Sequence, residues 1–180
     1  MRAPIAIPTP EVVSPLVLAA CRTVVADPEP VHVPVRLEVY SCPDDCHCNA
    51  AEKARRDGGR VRFGWVVWEV PDWEIRLEFH SVWQSPQGHL VDVSPPVHGS
   101  PVVLFLPDPV RVYEGRNISS VHYPYSDSSL CREFVGVMDG INRLLLPPGQ
   151  RPAPGREVPR GEMERLRARL RGIYARAQDL

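Results

Sequence analysis

Three side chains suited to nucleophilic catalysis follow one another along the chain: Cys46, His80 and Asp92. A thiol, an imidazole and a carboxylate can act as the nucleophile, base and orienting group of a catalytic triad. In that interpretation Cys46 attacks an amide or ester carbonyl, His80 takes and returns the proton, and Asp92 fixes the imidazole tautomer. The predicted chemistry is acyl transfer, or amide and peptide hydrolysis, through a thioester, with an amine or water as the acceptor.

The local sequence places Cys46 at the start of a helix. Asp44 or Asp45 can cap a helix from about Cys46 to Asp57, and Gly58-Gly59 ends it. Unsatisfied backbone N–H groups in the first turn of a helix carry partial positive charge, which favours a thiolate there. The same N–H groups can receive the oxyanion of an attacked carbonyl.

A predicted hairpin brings His80 and Asp92 onto one face of a sheet. The segment 85–88 (Ser-Pro-Gln-Gly) fits a type I turn with a left-handed glycine, which gives a three-residue loop. Such a loop pairs positions that are separated by even numbers. His80 and Asp92 therefore share a face, either opposed or one diagonal apart.

The motifs around these residues resemble the transglutaminase-like branch of the papain-like cysteine enzymes. In that branch a cysteine at a helix start is followed by a His-Ala-Trp strand and then by a strand ending in Asp-Pro-Thr. The corresponding segments here are Cys-His-Cys-Asn-Ala at 46–50, His-Ser-Val-Trp at 80–83 and Asp-Val-Ser-Pro at 92–95. The first of these is also similar to a Cys-x-x-Asn-Ala helix start in small uncharacterised bacterial and phage proteins. The resemblance covers about residues 42–96 and implies an α+β fold in which the cysteine helix packs on an antiparallel sheet, with a C-terminal helical extension.

Three further residues are expected to contact substrate: Asn49, Trp65 and Trp83. Asn49 lies one helical turn after Cys46, Trp65 precedes the predicted histidine strand, and Trp83 lies within that strand. Tryptophans in such strands are also commonly core residues. The transglutaminase-like branch has an aromatic residue near its nucleophile, whereas His47 stands there in this chain. A second oxyanion donor is not assigned by the sequence.

Metal binding is an alternative function for the same segment. Cys42, Cys46 and Cys48 offer soft ligands for zinc, although no second cysteine knuckle follows. A redox pair of Cys42 with Cys46 or Cys48 is a further alternative. The histidines available to complete a metal site are His80, His89 and His98.

Two non-catalytic interpretations also remain open. Cys46 can be a small buried hydrophobic residue, with His80 and Asp92 paired for stability alone. The same fold can also serve as a binding module without catalysis. No organic cofactor is predicted, because the sequence has no glycine-rich phosphate-binding loop.

The pattern of the remaining chain predicts an α+β domain. Thr9-Pro10-Glu11 indicates a helix that starts there and runs to about Val25, and residues 107–128 match no regular template. A second predicted helix covers 130–146. Strands are predicted over 31–40, 60–70, 74–84, 89–94 and 102–106.

We predict one catalytic domain over 1–146, a proline-rich linker over 147–159 and an amphipathic helix over 160–180. Met163, Leu166, Leu170 and Ile173 form the apolar stripe of that helix. The last thirty residues carry eight arginines against four acids, so this helix either packs on its own domain or docks a protein partner.

Composition limits the classes of function. The 180 residues are 43% apolar, which is typical of a globular domain. The 21 prolines exclude a helical bundle or coiled coil, because a proline inside a helix breaks it. A net charge of −1 gives no general attraction to nucleic acid or acidic lipid, and no apolar stretch is long enough to span a membrane. Five cysteines, an odd number, argue against a disulfide scaffold and favour a cytoplasmic protein. The expected partner is the peptide, amide or ester substrate of the predicted triad.

Overall fold

The computed structural model describes residues 8–95, 99–152 and 157–178. Within them the protein is α+β, with four helices and an antiparallel sheet of six strands. None of the described helices is long and apolar enough to cross a membrane. In chain order the elements are α1 (Pro15–Arg22), β1 (Val31–Pro34), α2 (Cys46–Asp57), β2 (Arg60–Val70), β3 (Glu74–Gln84), β4 (Leu90–Val91), β5 (Val102–Pro107), β6 (Val121–Pro124), α3 (Ser129–Leu145) and α4 (Arg160–Ala177).

The sheet is built around the long pair of β2 and β3. Its strand order is β1-β5-β2-β3-β4, and β6 also pairs with β3. On that edge of β3, β6 pairs with residues 74–77 and β4 with residues 83–84. Neither of these two strands pairs with residues 78–82, so His80 lies in the gap between them.

A single bridge joins the two ends of this strand order. Val35, just after β1, forms a parallel bridge with Asp92, just after β4. The Arg36 N–H donates to the Asp92 carbonyl at 2.8 Å, and the Asp92 N–H donates to the Pro34 carbonyl at 3.0 Å. This bridge closes the sheet, and it includes Asp92, one of the three predicted triad residues.

Two apolar clusters lie on opposite faces of the sheet, as the alternation of side chains along a strand requires. On β2, Trp65 and Val67 pack with α1, whereas Val66 and Trp68 belong to the second cluster. The first cluster also holds Val17, Ala20, Cys21, Ile75, Leu77, Leu104 and Leu106. The second also holds Val33, Val82, Val103 and Phe105.

The C-terminal helix packs on its own chain. Ile173 of α4 forms a buried cluster with Phe134 and Val137 of α3, and Leu166 and Leu170 pack against it. The apolar stripe of α4 is therefore used within the protein, which argues against the predicted docking of a partner through this stripe. Ahead of α4, residues 147–150 are held by hydrogen bonds to the backbone of Asn117, while residues 153–156 of the predicted linker lie outside the described residues.

A buried hydrogen bond between two side chains connects β3 with β6. The Nδ1 atom of His122 donates to Oε2 of Glu74 at 2.7 Å, and both side chains are at most 2% exposed. This pair was not predicted, because β6 lies in the segment 107–128 that matched no regular template. Strand pairing with β3, rather than local preference, makes 121–124 extended.

The prediction that the first helix starts at Thr9 was wrong. The helix begins at Pro15, and the Ser14 hydroxyl accepts from the Val17 N–H at 3.2 Å as the cap. The Thr9 hydroxyl is instead bonded to the sheet, where it accepts from the Leu104 N–H at 2.6 Å. A tertiary partner therefore replaced the predicted local cap.

The predicted strand over 31–40 was too long. Regular pairing ends at Pro34, and Leu37 and Val39 are exposed rather than buried. Proline has no N–H to donate, which ends the ladder, and after the Val35 bridge the chain turns through a Ser41 N–H to Glu38 carbonyl bond. The alternation over 31–40 thus indicated a buried face at Val33 and Val35 but not at Leu37 and Val39.

Candidate active site

Cys46 is the first residue of α2, as predicted, and Asp45 is its N-cap residue. The Asp45 side chain makes no cap hydrogen bond, so the predicted capping role of this carboxylate was wrong. A hydrogen bond from the Cys48 thiol to Asp45, together with burial, raises the pKa of Cys48. The N–H groups of the first turn of α2 consequently have no side-chain cap and point toward the same end of the helix as Cys46.

The β3–β4 hairpin brings His80 and Asp92 together as predicted. The Ser85 N–H donates to the His89 carbonyl at 2.8 Å, and Gly88 adopts a φ of 93°. This loop pairs Trp83 with Val91, which puts Asp92 one diagonal from His80. The His80 Nε2 atom donates to Asp92 Oδ2 at 2.9 Å.

The carboxylate of Asp92 is held on both oxygens. Oδ2 accepts from His80, and Oδ1 accepts from the Ser94 N–H at 2.9 Å. The Asp92 side chain is 3% exposed, and that of His80 is 17% exposed. The imidazole is therefore fixed from its Nε2 side, which leaves Nδ1 for another partner.

The Cys46 thiol interacts with the same imidazole, because charge and hydrogen bonding between the two side chains shift the pKa of each. Burial alone would raise the pKa of Cys46. The positive charge on His80 and the hydrogen bonds with His47 and His80 outweigh burial and lower the pKa to about 6, from an ordinary value of 9.0. Cys46 is thus favoured as a thiolate near neutral pH.

His80 shows the complementary shift. Burial disfavours the charged imidazole, but the Cys46 thiolate and the Asp92 carboxylate together raise the pKa of His80 well above 6.5. The two shifts describe one coupled pair that is most stable as thiolate and imidazolium. The arrangement can supply a charged sulfur nucleophile and a proton for a leaving group.

His47 is a site residue whose contacts the sequence did not predict. Its ring stacks on Tyr113 with centroids 3.6 Å apart and an interplanar angle of 16°, and Phe63 and Phe79 flank it. Its Nδ1 atom is hydrogen-bonded to the hydroxyl of buried Ser81. Position next to Cys46 was the one available signal, because Tyr113 comes from the irregular loop before β6.

Asn49 was predicted to contact substrate, but its side chain faces the protein interior. Its side chain is buried, its Oδ1 accepts from the Cys42 N–H at 3.0 Å, and its Nδ2 donates to the Cys42 carbonyl at 2.7 Å. A third hydrogen bond runs from Nδ2 to the Ser94 hydroxyl at 3.3 Å. Asn49 therefore fastens the loop before α2 to the loop after β4.

The two tryptophans that were predicted to bind substrate, Trp65 and Trp83, make other contacts within the protein. Trp65 is buried in the cluster beneath α1, and its Nε1 atom donates to Asp108 at 3.0 Å. Trp83 donates to the Gly58 carbonyl at 2.8 Å, and the Lys53 ammonium lies 5.1 Å from its ring centroid. Trp83 lines a cavity of about 900 Å³ beside β1 and β4, whose walls include neither Cys46 nor His80.

The alternative metal site is not assembled. Among the described residues, no three His, Cys, Asp or Glu side chains are arranged to hold a metal ion. Cys42 and Cys48 are exposed free thiols, and Cys46 faces the imidazoles instead. His98, a predicted ligand, lies outside the described residues.

No protein family, curated protein or solved structure matches this chain. The function is therefore argued from the contacts of Cys46, His80 and Asp92 themselves.

Proposed function

We propose that the protein catalyses thiol-dependent acyl transfer or amide and peptide hydrolysis, with Cys46 as nucleophile. The observation that carries the proposal is the unbroken chain of contacts from the Cys46 thiol through His80 to the Asp92 carboxylate. A nucleophile bonded to a base that is itself oriented by a third group is the signature of covalent catalysis.

The reaction begins from the thiolate–imidazolium pair. The Cys46 sulfur attacks the substrate carbonyl carbon, a C–S bond forms, and the carbonyl π electrons move to oxygen. As this intermediate collapses, the bond to the amine or alcohol breaks and His80 donates its proton to that leaving group. Water or an amine then attacks the thioester, His80 takes a proton from it, and the released Cys46 thiolate restores the starting pair.

Asp92 acts through His80 in this scheme. Its buried carboxylate holds the Nε2–H of the ring and stabilises the imidazolium. Because Ser94 fixes the other carboxylate oxygen, the ring cannot easily turn its Nδ1 away from sulfur. Asp92 is thus a positioning residue that also supplies charge.

The uncapped first turn of α2 supports oxyanion binding. Backbone N–H groups there have no partner within the helix and are not taken by Asp45. They are on the same turn as the attacking sulfur, where the negative charge of the tetrahedral intermediate develops. The same proposal assigns the chain to a papain-like, transglutaminase-like architecture, supported by the order helix-start cysteine, strand histidine and hairpin aspartate on an antiparallel sheet.

Thiol labelling combined with acylation tests the proposal. The protein is treated with iodoacetamide at neutral pH, and the alkylated cysteines are identified by mass spectrometry. We expect Cys46 to be labelled before the more exposed Cys42 and Cys48, and a p-nitrophenyl ester to release one equivalent of p-nitrophenolate in a burst.

Cys46→Ser should abolish the burst, whereas Cys48→Ser, which removes an exposed thiol two residues away, should retain it. Equal, slow labelling of all exposed thiols together with no burst would refute catalysis and leave a binding module as the interpretation.

A further inference from the structure

Two imidazoles act on Cys46, not one. His80 of β3 and His47, the next residue of α2, both contribute charge and hydrogen bonding that lower the pKa of the thiol. The triad mechanism uses only His80. The second histidine therefore needs its own explanation.

The ring of His47 is held by aromatic neighbours and by a hydrogen bond at one edge. Tyr113 stacks on it, Phe63 and Phe79 pack beside it, and the Ser81 hydroxyl binds Nδ1. When the Ser81 hydroxyl donates to Nδ1, the imidazole carries its proton on Nε2 and is a hydrogen-bond donor there. A hydroxyl partner orients the ring without supplying the negative charge that Asp92 supplies to His80.

Packing alone does not account for an imidazole at this position. Three aromatic rings surround it, and a phenyl ring would fill the same space without polar atoms. Placing a polar ring in an apolar pocket costs free energy unless its nitrogens are hydrogen-bonded. Here the partners are Ser81, which is fully buried, and the nucleophilic thiol itself.

We propose that His47 is a catalytic residue that donates a hydrogen bond to the Cys46 sulfur in the resting protein and to the carbonyl oxyanion during acylation. The inference rests on the proposed acyl transfer and supplies a side-chain donor beside the backbone N–H groups of α2. As the sulfur becomes bonded to carbon it loses its charge, and the neighbouring carbonyl oxygen gains it. A donor fixed beside the sulfur can then stabilise the negative charge on the carbonyl oxygen without moving.

Two reactions of the same thiol separate this role from a structural one. Alkylation by iodoacetamide displaces iodide and forms no oxyanion, whereas acylation by a p-nitrophenyl ester passes through one. Both rates are measured over a range of pH, and their plateau values are compared. At the plateau the thiol is fully ionised, so a variant that changes the pKa of Cys46 does not change the comparison. The variants are His47→Phe, which keeps the stacking on Tyr113, His47→Gln, which keeps a donor, and Ser81→Ala, which keeps the ring but frees it.

We expect His47→Phe to lower the acylation plateau by about 10²-fold, the usual effect of losing one oxyanion donor. The alkylation plateau should stay at or rise above the wild-type value, because a thiolate that loses a hydrogen bond is no less nucleophilic. His47→Gln should recover part of the loss, and Ser81→Ala should give an intermediate value. Near-UV circular dichroism and thermal unfolding identify a variant that is misfolded, in which case Ser81→Ala and His47→Gln decide the comparison.

Equal plateaus for wild type and His47→Phe, or a parallel fall of alkylation and acylation, would overturn the role of His47 and leave the proposed acyl transfer standing. A wild-type protein that is alkylated rapidly but never acylated would instead overturn the proposed function, and this inference with it.

Discussion

Gly64 lies directly opposite His80 in the antiparallel ladder between β2 and β3. A Cβ atom at position 64 would come within 2.3 Å of the Leu106 carbonyl oxygen and 2.6 Å of the Phe105 ring. Neither the backbone of β5 nor a fully buried phenylalanine can move freely. The glycine thus allows β5 to approach β2, the strand that pairs with the His80 strand.

Gly64→Ala should therefore destabilise the protein and disturb the site. We expect a loss of about 1–3 kcal/mol in the free energy of unfolding, as for other overpacked cores, with slower alkylation of Cys46. Denaturant unfolding and iodoacetamide kinetics measure the two effects. Gly136→Ala in α3 is the control, because nothing lies within 4 Å of its added Cβ, and it should be neutral or slightly stabilising. Wild-type stability in Gly64→Ala would contradict the packing described here.

The reactivity of Cys46 should change with pH near 6, not near 9. The pKa of Cys46 is lowered to about 6, so its thiolate forms as the pH rises through that value and the alkylation rate then levels off. Acylation should fall again at higher pH, when His80, whose pKa is raised well above 6.5, loses the proton that the leaving group needs.

His80→Ala removes the charge that lowers the pKa of Cys46 but leaves the burial that raises it. The inflection should therefore move up toward or beyond the ordinary thiol value of 9.0, with a large loss of rate at neutral pH. Stopped-flow alkylation over a pH series measures the inflection. An unchanged inflection in this variant would show that His80 does not set the charge of the thiol.

Asp92→Asn should preserve the fold around the hairpin but lower the acylation rate by about 10²–10⁴-fold, the range of a well-placed acid–base group. The amide cannot stabilise the imidazolium, so the pKa of His80 should fall and that of Cys46 should rise. Burst kinetics with the ester and the pH profile of alkylation report both. Asp108→Asn, a change at another buried carboxylate, is the matched control and should leave the inflection of Cys46 in place.

The Glu74–His122 pair should matter for stability and not for catalysis. Removing the His122 imidazole leaves the buried Glu74 side chain without this hydrogen-bond partner, which costs about 1–3 kcal/mol. His122→Ala should lower the unfolding free energy by that order, while acylation per folded molecule stays unchanged. His89→Ala, a change at an exposed histidine, is the control. A catalytic loss without a stability loss in His122→Ala would contradict this assignment.

The parts of the site that depend on local geometry could be predicted from sequence. The Ser85–Gly88 turn fixes the register of the hairpin, and the register fixes the face that His80 and Asp92 share. The turn before Cys46 indicates where α2 starts, and the two glycines after Asp57 indicate where it ends. In both cases a few adjacent residues determine the outcome.

The parts that failed depend on distant partners. Thr9 has the chemistry of a helix cap, but its hydroxyl bonds to β5. Leu37 and Val39 continue the apolar alternation after Val35, but no part of the sheet covers them. Asn49 was expected to face substrate because of its helical spacing, yet loops from two other parts of the chain take up its whole amide. Tyr113 reaches His47 from a loop with no regular pattern, so nothing in the sequence linked them.

The bridge between Val35 and Asp92 has a mechanical consequence. The chain that leaves Val35 leads directly to Cys46, and the loop that follows Asp92 is fastened to the same entry segment through Asn49 and Ser94. Cys46 and Asp92, far apart in sequence, are thus both held by the segment between Val35 and α2. When this segment detaches during unfolding, the reactivity of the Cys46 thiol should be lost in a single step, without a gradual decline beforehand.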